Sequence, residues 1–377
     1  MAETRLESFD GLRGIAAVIV MVHHTLLTIP FWCEVIYRST HRSTLQILLN
    51  YSPTNLLWAG RPSVLVFFAL SGFVLALLFL GRNPTAIDFI GRRIVRIYVP
   101  YAGIVSFAIL LMALFWTDKP NTTPWLLLSW NRPVSARLVI DHMLMLGNPT
   151  LDIVDNPIWS LVHEMRFSLI FPVLMWAVLR YRWKAVGTAA FISVAAILLR
   201  ERLNFFWIVD SAQYLFLFVA GAELARNRFL ARDLYQSLAR PVRIVIGIFS
   251  LLCLSAYGFD GFRVGMVREI AALVPHVGAV LLLFTVNGSS TAHYWLTRAP
   301  LLWAGRVSYS LYLSHVVVLL TLLSVLHSFL NPLAILALFV PCTLILAEVL
   351  YRGLEQPAIL WSRKVGSRPR AAILAHP

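Results

Sequence analysis

Apolar residues in this chain run in long blocks, with polar residues punctuating them. Runs long enough to cross a hydrocarbon core of ~30 Å fall at about 12–30, 56–80, 98–116, 158–179, 184–200, 212–225, 241–258, 270–287, 306–327 and 332–352. The pattern predicts an all-α integral membrane protein with about ten transmembrane helices. The fifth to eighth runs are shorter or more weakly bounded than the others. An even number of crossings puts both termini on one side. The set of alternate loops that includes the termini holds about twice as many Lys and Arg as the opposite set, which places both ends in the cytoplasm.

Between the second and third runs, residues 84–97 predict an interfacial amphipathic helix. Asn83 is the expected cap and Pro84 the expected first residue. Ile87, Ile90, Ile94 and Ile97 fall on one stripe, and Arg92, Arg93 and Arg96 on another arc. Such an arc either anchors the chain to lipid phosphates or clamps the phosphates of a ligand. The longest loop, 117–157, is rich in Pro, Asn and Asp and is expected on the extracytoplasmic side. Residues 1–355 read as one membrane domain, and 356–377 as a cytoplasmic tail expected to be poorly ordered.

Composition supports this class. Apolar residues make up 59% of the chain and charged residues 13%, proportions that exclude an ordinary soluble domain. The net charge of +14 is carried nearly all by arginine; it is a topology signal first and a hint of an anionic ligand second. Nothing in its distribution points to nucleic acid. Cys33, Cys253 and Cys342 form no even framework and no zinc spacing, so neither a disulfide scaffold nor a metal is expected. The first apolar run lacks a basic leader and a small-residue cleavage site and is interrupted by His23 and His24, so it reads as a retained helix.

Ionisable residues inside apolar runs are costly and are therefore candidates for function. Arg13 and His24 share one face of the first run, about three turns and ~16 Å apart. Trp159-Ser160-Leu161-Val162-His163-Glu164-Met165-Arg166-Phe167 brings Glu164 into the fourth run, either to orient or deprotonate an imidazole, to bind a hydroxyl, or only to pair across helices. Arg166 points away from Glu164 at this spacing. Gly305, Ser308, Tyr312 and His315 share a polar face of the ninth run, which suits chemistry or interhelical hydrogen bonding. Gly72, in Phe67-Phe68-Ala69-Leu70-Ser71-Gly72, suits close helix packing. Glu348 and Arg352, four apart, form an expected structural ion pair.

Taken in order, these segments resemble acyltransferase family 3, the bacterial integral-membrane O-acyltransferases. Phe9-Asp10-Gly11-Leu12-Arg13-Gly14 with His24 is similar to the family's opening signature. Phe67-Phe68-x-x-Ser71-Gly72, Arg93-x-x-Arg96 with Pro100, and Trp159-Ser160-Leu161-x-x-Glu164-x-x-Phe167 with Pro172 resemble its next landmarks. Gly305-x-x-Ser308-Tyr309-x-x-Tyr312-x-x-His315 and Glu355-x-Pro357 resemble its last two. Two departures stand out: His163 and Arg166 flank Glu164, and Ser168 stands where an aromatic is common.

The resemblance implies transfer of an acyl group, usually acetyl, from cytoplasmic acyl-CoA to a hydroxyl of a glycan, a lipid-linked saccharide or a similar acceptor, in the bacterial inner membrane. It implies no permanently bound cofactor; acyl-CoA is the donor substrate. It makes His24 the essential residue with Arg13 its companion and Glu164 nearby. Arg93 and Arg96, helped by Arg92, are expected at the CoA phosphates. Ser308, Tyr312, His315 and Trp159 form the expected acceptor or oxyanion region. Neutral His24 would act either as a general base or as an acyl carrier. A secondary transporter, or a non-catalytic partner in polysaccharide assembly, is the competing class. A transporter of the common kind shows two repeated halves, and no repeat is visible in this chain.

Overall fold

The computed structural model describes residues 3–37, 43–82, 84–116, 120, 122–145, 153–199, 210–258 and 272–365. Among them the regular secondary structure is helical throughout. The principal helices are α1 (Glu3–Leu26), α2 (Gly60–Arg82), α3 (Ala86–Phe115), α4 (Ile158–Tyr181), α5 (Trp183–Leu199) and α6 (Leu215–Arg226). They continue as α7 (Arg240–Ser255), α8 (Val274–Gly288), α9 (Ala299–Arg306), α10 (Ser308–Leu326), α11 (Pro332–Leu350) and α12 (Gln356–Lys364). Among the described residues, seven helical stretches are long and apolar enough to cross a membrane, which is consistent with an integral membrane protein. The fifth, sixth and eighth expected crossings appear as helices of 17, 12 and 15 residues, shorter than the ~20 a crossing needs.

The outer surface is apolar in a periodic way. Phe107, Leu110 and Leu114 of α3 are exposed, as are Ile170, Val173 and Trp176 of α4. Spacings of three and four place each set on one helix face, a stripe that water would penalise and lipid tails accept.

Two expectations are corrected. The separate interfacial helix at 84–97 does not exist: α3 runs unbroken for 30 residues from Ala86, with Thr85 as its cap, accepting the Asp88 N–H at 3.2 Å. Asn83 lies outside the described residues. Pro100, inside α3, does not end it, because neighbouring helices supply partners near the lost bond; the Tyr309 hydroxyl donates to the Ile97 carbonyl at 2.7 Å. The arginine arc also turns the other way from an anchor. Arg93 is buried, whereas Ile87 and Ile94 are exposed. The second correction concerns the tail. A π-helical turn, Tyr351–Glu355, carries α11 directly into α12, whose Ala358 and Ser362 are buried. Pro357 falls in the first turn of α12, where its missing N–H costs nothing. Residues 366–377 lie outside the described residues.

Two glycine contacts set the close spacing of the bundle. A Cβ on Gly72 of α2 would overlap the Phe218 carbonyl oxygen of α6, and one on Gly221 of α6 would overlap the Ala69 carbonyl oxygen. Likewise Gly14 of α1 lies against the backbone of Leu301 and Gly305 in α9. Backbones this close exclude any side chain at the crossing. Gly72→Val should therefore lower stability by about 1–3 kcal/mol or more, whereas Gly81→Ala, whose Cβ meets open space, should be neutral. Thermal unfolding of the detergent-solubilised protein checks the difference.

Candidate active site

A cavity of about 1180 Å³ opens between α1, α2, α3, α4, α9, α10 and α12. Arg306 and Arg363 stand on its wall as exposed side chains, and Arg13 and Arg96 line it further in, half-buried. Arg13 pairs with Asp10 one turn earlier on α1. Arg96 makes no hydrogen bond or ion pair within 4 Å among the described residues, so its guanidinium is available to a ligand. Arg93 is different. Its Nη2 donates to Glu164 Oε1 at 2.8 Å and its Nε to Ser168 Oγ at 3.1 Å. Ser71 of α2 donates to the same carboxylate oxygen at 3.4 Å. Arg93 and Glu164 thus form a neutralised pair on the cavity wall. Ser168, one of the two departures noted in sequence, supplies the hydroxyl that completes it.

The far wall of the cavity is polar and aromatic. Tyr312 of α10 donates from its hydroxyl to the Pro157 carbonyl at 3.0 Å, and the Ser160 hydroxyl lies 2.7 Å from the Tyr312 hydroxyl oxygen. Phe67 packs edge-on against the Tyr312 ring at 5.8 Å. Ser308 also lines the cavity, its hydroxyl donating to Gly305 at 2.8 Å. Glu355, from the π-helical turn, accepts from both the backbone and the hydroxyl of Ser310 at 3.2 and 2.7 Å, which fixes α12 against α10.

His24 is not part of the cavity wall; its ring is only 5% exposed. A chain of ring contacts leads to it: Tyr312 to His315 at 6.0 Å, then His315 to His24 at 5.0 Å. His315 Nε2 is 3.0 Å from His24 Nδ1. On its other side, His24 Nε2 is 3.0 Å from Oδ1 of Asn156, and Trp125 packs at 5.9 Å. Asn156 belongs to the turn before α4, beside Asp155, which is fully buried with neither carboxylate oxygen partnered among the described residues. Burial alone pushes that carboxyl well above the ordinary carboxylate range.

The site residues expected from sequence therefore divide into two groups. The cavity collects Arg13, Arg93, Arg96, Glu164, Ser308 and Tyr312, while His24 and His315 form a buried pair behind Tyr312. Arg13 is about three helical turns, ~16 Å, from His24, so it serves the cavity and not the imidazole. Glu164 is held by Arg93 and Ser71 instead of facing His24. Arg92 donates from Nε to the Val365 carbonyl at 2.9 Å, off the cavity wall. Trp159 turns toward His163 at 5.8 Å and Tyr214 at 6.2 Å. As expected, Arg166 leaves Glu164 and bonds Ser211 at 2.9 Å, and Arg352 pairs with Glu348 at 2.7 Å. Sequence reasoning missed Asn156, Arg306 and Arg363. Asn156 signals only an Asn-Pro turn, and Arg363 lay in the stretch taken for a loose tail.

Residues 6–352 match the acyltransferase domain family, nearly the whole chain. The chain belongs to that acyltransferase family. A similar protein is the O-acetyltransferase PaAT-1 of Phomopsis amygdali, 24% identical over 365 residues that take in 81% of this chain and 70% of the relative. No solved structure matches the chain.

In this acyltransferase the Arg93–Glu164 pair is a largely buried ion pair on the cavity wall. Truncating one partner of a buried pair costs more than replacing both by apolar residues. Glu164→Leu should cost about 2–3 kcal/mol, and adding Arg93→Met should restore part of it. A double-mutant cycle on thermal stability measures that coupling.

Proposed function

We propose that the protein moves an acyl group, acetyl in the simplest case, from acyl-CoA to a hydroxyl of a glycan, a lipid-linked saccharide or a comparable acceptor. The observation that carries this reading is the cavity: arginines at its exposed end, and at its inner end a tyrosine leading through one imidazole to another. Acyl-CoA has the same polarity, with its charge on phosphates at one end and its thioester at the end of an uncharged arm. The O-acetyltransferase name of the relative from Phomopsis amygdali supports a hydroxyl as acceptor. Arg96, Arg306 and Arg363 hold the phosphates, because guanidinium forks match phosphate oxygens and these three are the least engaged on the wall. With the termini in the cytoplasm, the donor enters from that side.

The bonds from Tyr312 to Pro157 and Ser160 hold its ring across the inner end of the cavity. The acyl group reaches His24 when that ring swings aside. The neutral imidazole then removes the proton of the acceptor hydroxyl. The hydroxyl oxygen bonds to the thioester carbonyl carbon, the carbon–sulfur bond breaks, and the imidazolium returns its proton to the departing thiolate. Tyr312 and Ser160, freed from each other, are the nearest hydroxyl donors for the oxyanion.

Purified protein in lipid nanodiscs, given acetyl-CoA and a saccharide acceptor, should release free thiol in step with acceptor acylation. His24→Ala should abolish both, and wild-type turnover in that variant overturns the reading. A transporter or a non-catalytic partner would release no thiol. In the same assay Arg96→Ala should raise KM for acyl-CoA about tenfold with kcat little changed, the loss expected for one charge-assisted contact. Arg92→Ala should leave KM unmoved, since its guanidinium is spent on Val365.

A further inference from the structure

We infer that His315 is the positioning partner of His24: its Nε2 accepts the Nδ1–H of His24 and so fixes Nε2 of His24 as the nitrogen that takes the acceptor proton. The inference rests on the acyl-transfer reading and adds to it the way the base is oriented.

The hydrogen-bond geometry selects one arrangement of protons. Each imidazole turns back on its own helix: His24 Nδ1 lies 2.9 Å from the Val20 carbonyl, and His315 Nδ1 lies 3.0 Å from the Leu311 carbonyl. A carbonyl oxygen only accepts, so each Nδ1 carries the single proton of a neutral ring. His315 Nε2 then has a lone pair, and it lies 3.0 Å from His24 Nδ1. The His24 Nδ1–H is shared between Val20 and His315. The opposite arrangement, with protons on both Nε2 atoms, bonds His315 to His24 and His24 to Asn156 Oδ1, but sets two backbone carbonyl oxygens against two nitrogen lone pairs in a buried site. Neither carbonyl can turn away, whereas the Asn156 amide can, so protons on both Nδ1 atoms leave every one of these groups satisfied.

His24 Nε2 is left as the base, with Asn156 Oδ1 3.0 Å away. That oxygen accepts from the imidazolium as it stands, and a half-turn of the amide brings its N–H to the neutral nitrogen. The acceptor hydroxyl takes the place of this amide, which puts the acceptor on the side of the 153–157 turn and the donor on the side of Tyr312. When Nε2 gains the proton, the positive charge spreads through Nδ1–H to the His315 lone pair.

A carboxylate orients the imidazole in the familiar hydrolase triad. A second, neutral imidazole does the same work without adding a buried charge among helices, where an ion is expensive. His23, on the same helix, is committed elsewhere: its Nδ1 lies 2.9 Å from the Trp58 carbonyl.

The test compares His315→Leu, which cannot accept, with His315→Gln, whose amide oxygen can. In the nanodisc assay with acetyl-CoA, His315→Leu should lower kcat about 10²- to 10⁴-fold, the range seen when a catalytic imidazole loses its orienter. KM for acetyl-CoA should stay within about twofold, and His315→Gln should recover part of kcat. Solid-state ¹⁵N spectra of histidine-labelled wild-type protein should show His24 protonated at Nδ1 and bare at Nε2 at neutral pH; this measurement needs no variant to fold. Wild-type kcat in His315→Leu, or a protonated Nε2 in the neutral ring, overturns the inference. If His24→Ala is inactive while His315→Leu is unaffected, the pairing falls and the acyl-transfer reading stands. Activity in His24→Ala removes both.

Discussion

Hydrocarbon gives a polar group nothing to bond to, and that constraint organises this bundle. A charged or hydrogen-bonding side chain admitted to the interior is costly unless it finds a partner within the protein. Arg93 does so by taking Glu164 and Ser168 from α4, which ties α3 to α4 through a neutral unit. Tyr309 and Glu355 do so by reaching backbone or hydroxyl groups of neighbouring helices. The two imidazoles partner each other. Once these bonds are made, the exposed arginines of the cavity still meet water, and there a charged ligand can replace solvent.

Much of the architecture could be read from the order of residues. Apolar runs located the helices, because length and hydropathy suffice to mark a crossing. The Arg13-to-His24 spacing and the Gly305-to-His315 stripe named the two helices that carry the imidazoles. Direction was harder to read. Periodicity placed Arg92, Arg93 and Arg96 on one arc, but an arc of arginines can face lipid headgroups or the protein. The choice was made by Glu164, some seventy residues away. The continuity of α3 was hidden for a similar reason. A proline and an arginine cluster look like a boundary until neighbouring helices are seen to satisfy the backbone. Asn156 and Arg363 carried no periodic signal, one sitting in a turn and the other in a terminal segment. Long-range partners, not local pattern, decide such positions.

The small residues at the helix crossings and the polar residues of the interior act together. Gly14 against α9 and Gly72 against α6 bring backbones close, which leaves no slack for helices to slide. A hydrogen bond of 3.0 Å between rings on α1 and α10 needs that stiffness, since a shift of one ångström would break it. Rigidity at the crossings therefore sets the distance between the two rings, even though none of those glycines touches either of them.

Adjacent residues of one turn reach both sides of the imidazole. Asn156 lies on His24, and the carbonyl of Pro157 holds the Tyr312 hydroxyl. The backbone joins them, so neither contact can be released by a large movement without straining the other. Such linkage ties the two contacts together: moving one residue of the turn moves both the group against the imidazole and the group that holds the tyrosine.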